Sequence, residues 1–289
     1  MVIIKSSEEI ALMKKAGQIT GESLCVARDI IRPGISTWEI DEKMRRFIER
    51  CGATPAFRGY DGFPGSVCIS INEEVIHGIP SKKRILHEGD IVSVDVGARY
   101  RGYNGDSART FPVGKVSDEA LRLISVTEQS FYEAIRFAKV GGRIGDIGHA
   151  VESFVISNGF GVVRKYTGHG VGAELHEEPE IPNFGTAGHG VRLYAGMTVA
   201  IEPMVTVGTE DVIVQADGWT VVTADGKLAA HHENSILITD SDPVILTETG
   251  LNDLVYNDFY VADGADVTIV AGCGIHNAGG LKSEHDGIH

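Results

Sequence analysis

The 289 residues carry 26 Lys and Arg against 40 Asp and Glu, a formal net charge of −14 at pH 7, and 43% of them are hydrophobic. That is enough apolar material for one large domain or two smaller ones, and the acidic balance without any basic run excludes an extended phosphate-binding surface, so no nucleic-acid partner is expected. Charged residues at 5, 8, 9, 14 and 15 rule out a signal-peptide core, no stretch reaches membrane-span length, and the cysteines at 25, 51, 68 and 273 form no CxxC pair, which leaves a cytoplasmic, membrane-free protein with reduced thiols.

Ser6-Ser7-Glu8-Glu9 has capping-box spacing, and Ile10, Met13, Ala16 and Ile19 behind it share one face of an amphipathic helix that Pro33-Gly34 ends. A second box, Ser36 with Glu39, opens a helix with Ile40, Met44, Phe47 and Ile48 inside and a stop near Cys51-Gly52. Residues 60–64 read as a loop rich in Gly, Pro and aromatic side chains. Residues 66–71 read as a strand, with Cys68 and Ser70 on one face and Val67, Ile69 and Ile71 on the other. His77 follows just before Gly78, where a side chain at a strand end can point into a cleft, although a surface or hydrogen-bonded histidine is the commoner outcome there.

Residues 91–110 read as two strands joined by a glycine-rich bend. Val92, Val94 and Val96 fall on one face of the first, which leaves Asp95 on the other, beside a core. A buried carboxylate costs several kcal/mol unless a cation or donor meets it, so Asp95 requires a partner. Arg99, Arg101 or Arg109 in a structural ion pair would serve, as would a bound cation. Asp106 alone, in Asn104-Gly105-Asp106-Ser107, reads first as a turn residue.

Residues 117–139 space Leu121, Ile124, Phe131, Ile135 and Ala138 along one helical face, and Ile147, Val151, Phe154 and Val155 form a second stripe; both are core. Residues 166–172 are too glycine-rich for a helix and read as a loop that brings backbone close to whatever His169 holds. In residues 198–204 an acid, Glu202, again ends an apolar strand, and Pro203 bars further central pairing. Residues 219–223 and 228–239 flank Asp225-Gly226, a hairpin signal, and period 2 puts His231, Glu233 and Ser235 on one face with His232 on the other. From about Leu251 the chain turns glycine-rich, so residues 1–250 are expected to form one domain and 251–289 a separate extension. Cys273, His276, His285 and His289 within that extension lack the spacing of a known metal site.

Taken together, Asp95, Asp106, His169, Glu202 and Glu233 are carboxylates and one imidazole from separate segments, each beside a strand end or a glycine turn. Oxygen-rich sets of this kind suit Mn, Fe or Co better than a cysteine-bound zinc, and acids that bridge two cations ~3.5–4 Å apart can share a water activated for hydrolysis. Around these residues the sequence resembles type I methionine aminopeptidases. The matching pieces are SVCISINEEVIHGIP, IVSVDVGARYRGYNGDSARTF, YTGHGVG with LHEEPEIPNFG, MTVAIEPM and DGWTVVTADGKLAAHHENSILIT, in family order, and they cover roughly residues 1–250.

The resemblance implies an α/β (α+β) pita-bread metallopeptidase fold, two pseudo-symmetric halves around an antiparallel sheet. It implies two divalent metal ions, Co, Mn, Fe or Zn, held by Asp95, Asp106, His169, Glu202 and Glu233, with Glu202 also the proton acceptor. His176 would steady the developing oxyanion and His77 the peptide nitrogen side, and Tyr60, Phe63, Cys68 and Trp219 would line a methionine pocket with Leu175 as a further candidate. The substrates implied are N-termini of nascent polypeptides whose second residue is small. The expected partners are these chains and the ribosome that makes them, and the protein itself is expected to be a monomer.

Phe57 and Ile76, where cysteines often occur in bacterial members, and Leu175, where Phe is frequent, depart from the family pattern and bear on pocket shape and thiol sensitivity. The segment VTIVAGCGIHNAGG with SEHDGIH faintly resembles part of a Suf-type iron-sulfur scaffold, but it is too short to form one, and no cluster is expected. Two other readings stand beside the first. A pita-bread Xaa-Pro peptidase often carries an extra N-terminal domain, whereas 94 residues precede Asp95, and a non-catalytic binding module of the same fold could lose metal ligands that are all present in this chain.

Overall fold

A computed structural model describes residues 2–249. Helices α1 (Ser7–Ile30) and α2 (Thr37–Arg50) start where the capping boxes place them. Ser6 and Ser36 accept from the backbone N–H groups of Glu9 and Glu39, whose carboxylates accept from the Ser6 and Ser36 N–H groups in return. Each box satisfies donors that a first turn cannot pair internally, so both starts are fixed locally. Met13, Ala16 and Ile19 on α1 and Ile40, Met44 and Ile48 on α2 are buried, with Ile10 and Phe47 half-buried at the margin.

Strands β1 (Thr54–Pro55), β2 (Cys68–Ile71), β3 (Glu74–Ile76), β4 (Ile91–Tyr100) and β5 (Tyr103–Pro112) follow. Helices α3 (Asp118–Ile135) and α4 (Ile144–Ser157) separate them from β6 (Gly161–Val162), β7 (Gly168–Gly170), β8 (Glu177–Ile181), β9 (Thr198–Ile201) and β10 (Met204–Thr206). The last strands are β11 (Val212–Val214), β12 (Val221–Thr223), β13 (Ala229–His231), β14 (Glu233–Leu237) and β15 (Val244–Ile245).

A helix pair and its strands thus occur twice, and the halves join where β5 pairs with β14 in a nine-stranded antiparallel sheet of path β1-β4-β5-β14-β9-β7-β8. This is the expected pita-bread architecture. Each half has its own core: α1 and α2 cover Ile69, Val92, Val94 and Val96, while Leu123, Phe131, Ile147 and Val151 cover Val199, Ile201 and Ile236. The opposite face of the sheet, to which Asp95 points, is left for other work. Pro203 marks the point where the chain leaves the large sheet, because β9 pairs with β14 while β10 joins a three-stranded sheet with β13 and β6. Among the described residues no helix is long and apolar enough to cross a membrane.

Four local expectations are corrected. Leu121 is 43% exposed, and the buried stripe of α3 is instead Ala120, Leu123, Thr127, Phe131 and Ala134. The hydroxyls of Thr127 and Ser130 donate to the carbonyls of Leu123 and Thr127, so polar residues enter the interior face and turn the helix away from the stripe that apolar residues alone suggest. Residues 168–170 are a strand and not a loop: a Cβ on Gly168 would stand 2.3 Å from the Ala200 carbonyl oxygen, so the glycines allow the flanking strands to close in.

Asp225-Gly226 does turn the chain, with Gly226 at φ 71°, but the flanking strands do not pair with each other. The Asp225 carboxylate accepts from the Thr209 and Lys227 N–H groups, which ties the turn to a neighbouring loop and lets β12 pair with β11 and β3 while β13 pairs with β10. Asp106 lies inside β5 and not in a turn; the bend falls at Arg101-Gly102, both with positive φ. The expectations for 251–289, including Cys273, His276, His285, His289 and the scaffold likeness, fall outside the described residues.

Candidate metal centre

Register brings the acids together. Cross-strand partners share a face of a sheet, and β4, β5 and β14 align Asp95 with Ala108 and Ala108 with Glu233. Asp106, two residues from Ala108, points the same way. Cys68 pairs with Asp95 and extends that row. Ser235 faces Ala200 on β9, so Glu202, two residues beyond Ala200, lies on this face as well, and His169 reaches it from β7.

The functional groups converge accordingly. Ligand atoms of Asp106, His169 and Glu233 all lie within 4.8 Å of one another. His169 Nε2 is 3.7 Å from Asp106 Oδ2 and 3.6 Å from Glu202 Oε1. These separations are too long for hydrogen bonds, yet they suit donors that each sit ~2.0–2.2 Å from a shared cation. His169 Nδ1–H donates to the Gly170 carbonyl at 2.8 Å, which leaves the Nε2 lone pair facing the carboxylates. Asp95 Oδ1, Asp106 Oδ1 and Glu233 Oε1 are sealed from solvent without a hydrogen-bond partner. Arg109, considered as a partner for Asp95, instead donates to the Glu233 carbonyl and the Asn234 side chain.

Burial dominates the electrostatics. It pushes the Asp95, Glu202 and Glu233 carboxyls well above their usual range and Asp106 up to about 7, with the neighbouring acids of the cluster adding to the rise for the first three. The same burial lowers His169 to about 3 and His77 to about 4, and pushes His176 down, so these imidazoles are neutral near pH 7. Clustered acids and neutral imidazoles with orphaned oxygens fit a divalent cation, which would relieve the burial of charge and occupy the unpartnered lone pairs together.

One residue was missed. His231 Nε2 stands 3.7 Å from Glu202 Oε2 and 3.9 Å from Glu233 Oε2, and neither ring nitrogen has a hydrogen-bond partner. The signal was available, since period 2 already placed His231 on the face of Glu233.

The cluster forms the floor of a cavity of about 240 Å³. Phe57, Phe63, Cys68 and Leu175 make one apolar group beside it, with Tyr60 and Trp219 packed against them. Phe57, Ile76 and Leu175 all line the cavity, so the three departures from the family pattern bear directly on its shape. On α2, Asp41 accepts from the Ser66 and Val67 N–H groups and holds the entry to β2, which sets Cys68. The Phe63 and Trp219 rings meet edge to face at 5.1 Å, and His77 meets both Trp219 and Tyr166 edge to face. His77 has φ 61°, a conformation costly for a side chain of this size, which turns it out of β3 toward the cavity. His176 Nδ1 and the Tyr60 hydroxyl are hydrogen-bonded at 2.7 Å, and the His176 ring lies 4.2 Å from that of His169.

Residues 11–240 match metallopeptidase family M24. The chain belongs to that family. A methionine aminopeptidase of Clostridium acetobutylicum is 54% identical to this M24 chain over 247 residues, which cover 86% of the chain and 99% of the relative. The crystal structure of a methionine aminopeptidase from Thermotoga maritima superposes with a TM-score of 0.85 at 48% identity, covering 86% of this chain and 100% of that one. A prolidase from Pyrococcus furiosus shares the fold at a TM-score of 0.70 and 27% identity, but only 66% of its length is covered. The M24 metallopeptidase works through divalent metal, and the side chains gathered on this face supply a donor set that fits one.

Proposed function

We propose that this M24 metallopeptidase removes the N-terminal methionine from newly made polypeptides whose second residue is small. The observation that carries the reading is the apolar group of Phe57, Phe63, Cys68 and Leu175 opening directly onto the acid and imidazole cluster. A pocket of that chemistry takes one unbranched, polarisable side chain and positions its backbone against the catalytic groups. Relatives named methionine aminopeptidase at 49–54% identity support it, and residues 1–250 are the part we assign to catalysis.

Two divalent cations, Mn, Fe, Co or Zn, are held in this reading by Asp95, Asp106, His169, Glu202 and Glu233, with His231 steadying the two glutamates. Bound there, such cations lower the pKa of a water and polarise the scissile carbonyl. The remaining work belongs to the side chains. Glu202, faced by His169 on one oxygen and His231 on the other, takes a proton from the attacking water and returns it to the departing amine. With Tyr60 donating to its Nδ1, His176 carries its proton on Nε2 and donates toward the oxygen that gains charge. His77, neutral and held between Tyr166 and Trp219, meets the peptide nitrogen side. The apolar pocket takes the first side chain of a substrate, as an aminopeptidase requires. The reaction takes place in the cytoplasm, on chains emerging from the ribosome.

Cleavage of a Met-Ala peptide and an Ala-Pro peptide, compared after chelation and re-addition of Mn, Fe, Co or Zn, tests the reading. Metal-dependent release of methionine is expected. Faster cleavage of Ala-Pro would transfer the site to the Xaa-Pro peptidases, and no cleavage of either would leave a binding module.

A further inference from the structure

An ion pair at the base of a cavity-lining segment supports two residues of the cavity. Residues 171–176 leave β7 and return to β8, closed at the base by the pairing of Gly170 with Glu177. They carry Leu175 of the apolar group and His176. From the N-terminal arm Lys5 reaches beneath them, its Nζ 2.5 Å from Glu177 Oε2, with both side chains at least 95% buried. The other oxygen of Glu177 accepts from the Glu174 N–H at 3.3 Å, inside the same segment.

The fit around this pair is close. A Cβ on Gly172 would stand 2.4 Å from Lys5 Cε and 2.5 Å from Glu177 Oε1, so the Lys5 stem and the carboxylate occupy the space a side chain would take. Asn104 fixes the segment from the other side, its Nδ2 donating to the Gly172 and Ala173 carbonyls at 2.9 and 3.2 Å. The arm is anchored in turn, because Lys5 N–H donates to the Gly196 carbonyl just before β9. A buried ion pair adds little net stability compared with apolar residues of the same volume, because desolvation offsets the attraction. What this pair supplies is a fixed distance between the arm and the base of the segment.

We propose that Lys5 is a positioning residue for the reaction: through its buried pair with Glu177 it holds residues 171–176 so that His176 meets the reacting carbonyl and Leu175 closes the pocket. The inference rests on the methionine aminopeptidase reading for the role of His176. The position of His176 itself does not depend on that reading.

Four variants and three readouts test it. Lys5→Met keeps the stem and leaves Glu177 without its cation; Lys5→Arg keeps a charge; Lys5→Met with Glu177→Met removes both charges; His176→Ala serves as the reference. On a Met-Ala peptide, well below each melting temperature, Lys5→Met is expected to lower kcat at least ~10-fold, the scale of a misplaced catalytic group, and Lys5→Arg to retain more of it. The double variant is expected to regain the thermal stability lost by Lys5→Met without regaining kcat. Because an activity loss alone would not show displacement, the imidazole NMR signals of His176 are followed as well, and they are expected to shift in both methionine variants. Should kcat return with stability in the double variant, or Lys5→Met leave kcat within twofold of wild type and the His176 signals unmoved, the pair is structural only and the proposal falls. If Lys5→Met does not fold, the double variant decides by the same criteria. A wild-type protein inactive on Met-Ala, or His176→Ala at full rate, would instead sink the methionine reading, while the His176 signals would still report whether Lys5 positions the segment.

Discussion

The Nε2 atom of His231 stands 3.7 Å from Glu202 Oε2, and neither ring nitrogen of His231 has a hydrogen-bond partner. Glu202 is thereby flanked by His169 on one oxygen and His231 on the other. Glu202→Gln keeps the volume and removes the basic oxygen. It is expected to cut turnover of a Met-Ala peptide at least ~10²-fold while the circular dichroism melt stays cooperative. Near-normal cleavage would remove Glu202 from the chemistry.

Metal and protons compete for the same oxygens, and the sign of the effect can be worked out. Asp106 is raised to about 7 and Asp95, Glu202 and Glu233 well above their usual range, so without metal the folded protein keeps protons that the unfolded chain has released. That contribution is fully present below the unfolded carboxyl values and is lost as pH rises through the folded ones. His169 and His231, lowered to about 3 from 6.5, act in the opposite sense and lose stability as pH falls below 6.5. Above 6.5 only the carboxyls remain. The melting temperature of chelated protein is therefore expected to fall as pH rises from 6.5 through about 7, where Asp106 releases its proton. Saturating Mn should raise it, by about 2.7 kcal/mol of stability at a hundredfold excess over Kd, and abolish the fall. A chelated protein equally stable across this window would contradict the raised carboxyls.

Part of the acid and imidazole cluster was legible because three of its members break a local pattern: Asp95 interrupts a valine face, Glu202 ends an apolar strand before a proline, and His169 sits between glycines. What one chain segment cannot show is pairing between strands. Asp106 reads as a turn residue until β5 is seen beside β14, where the row from Asp95 through Ala108 to Glu233 gives it its direction. The hairpin expected at Asp225-Gly226 fails for the same reason, since β3 and β11 pair with β12 in place of β13. His231 was visible on the right face and went unused, because a histidine beside a histidine carries no distinguishing spacing. The Lys5 and Glu177 pair, 172 positions apart, has no sequence signature at all.

Cys68 lies in the apolar group, and burial, followed by the nearby Asp95, pushes its thiol well above the usual range. A thiol held neutral does not alkylate readily. In native protein at pH 8, iodoacetamide is expected to modify Cys68 at least ~10-fold more slowly than the half-buried Cys25 and Cys51, as read by peptide mass. Equal rates for all three would place Cys68 outside the closed pocket.

Trp219 owes its place over Phe63 and His77 to a short turn. The Asp217 carboxylate accepts from the Trp219 and Thr220 N–H groups, both at 2.9 Å, and from the Thr220 hydroxyl at 2.7 Å. Asp217→Ala removes all three bonds while touching neither metal ligand nor substrate. Losing about 1 kcal/mol of net hydrogen bonding should free the indole, raise KM for Met-Ala about fivefold and leave kcat within about twofold. A red-shifted tryptophan emission should accompany the change. An unaltered KM would mean that Trp219 is held by its ring contacts alone.

The end of the catalytic unit can be set by packing on α1. A Cβ on Gly17 would lie 2.2 Å from the Leu246 carbonyl oxygen, and one on Gly21 2.7 Å from that of Glu248, so residues 246–248 lie directly on the helix. Thr247 Oγ1 donates to Asn234 Oδ1 and accepts from Ser235 N–H, next along β14 from Glu233. If residues 1–250 suffice for catalysis, truncation after Thr249 should leave kcat/KM within about twofold of the full chain. Truncation after Asp242 removes β15 and Thr247, and by leaving these buried groups unpaired it should cost at least about 2 kcal/mol and lower metal affinity with stability. Measuring Mn binding and melting temperature for both truncations checks the boundary, and an inactive 1–249 protein would show that the segment from 250 onward takes part in catalysis.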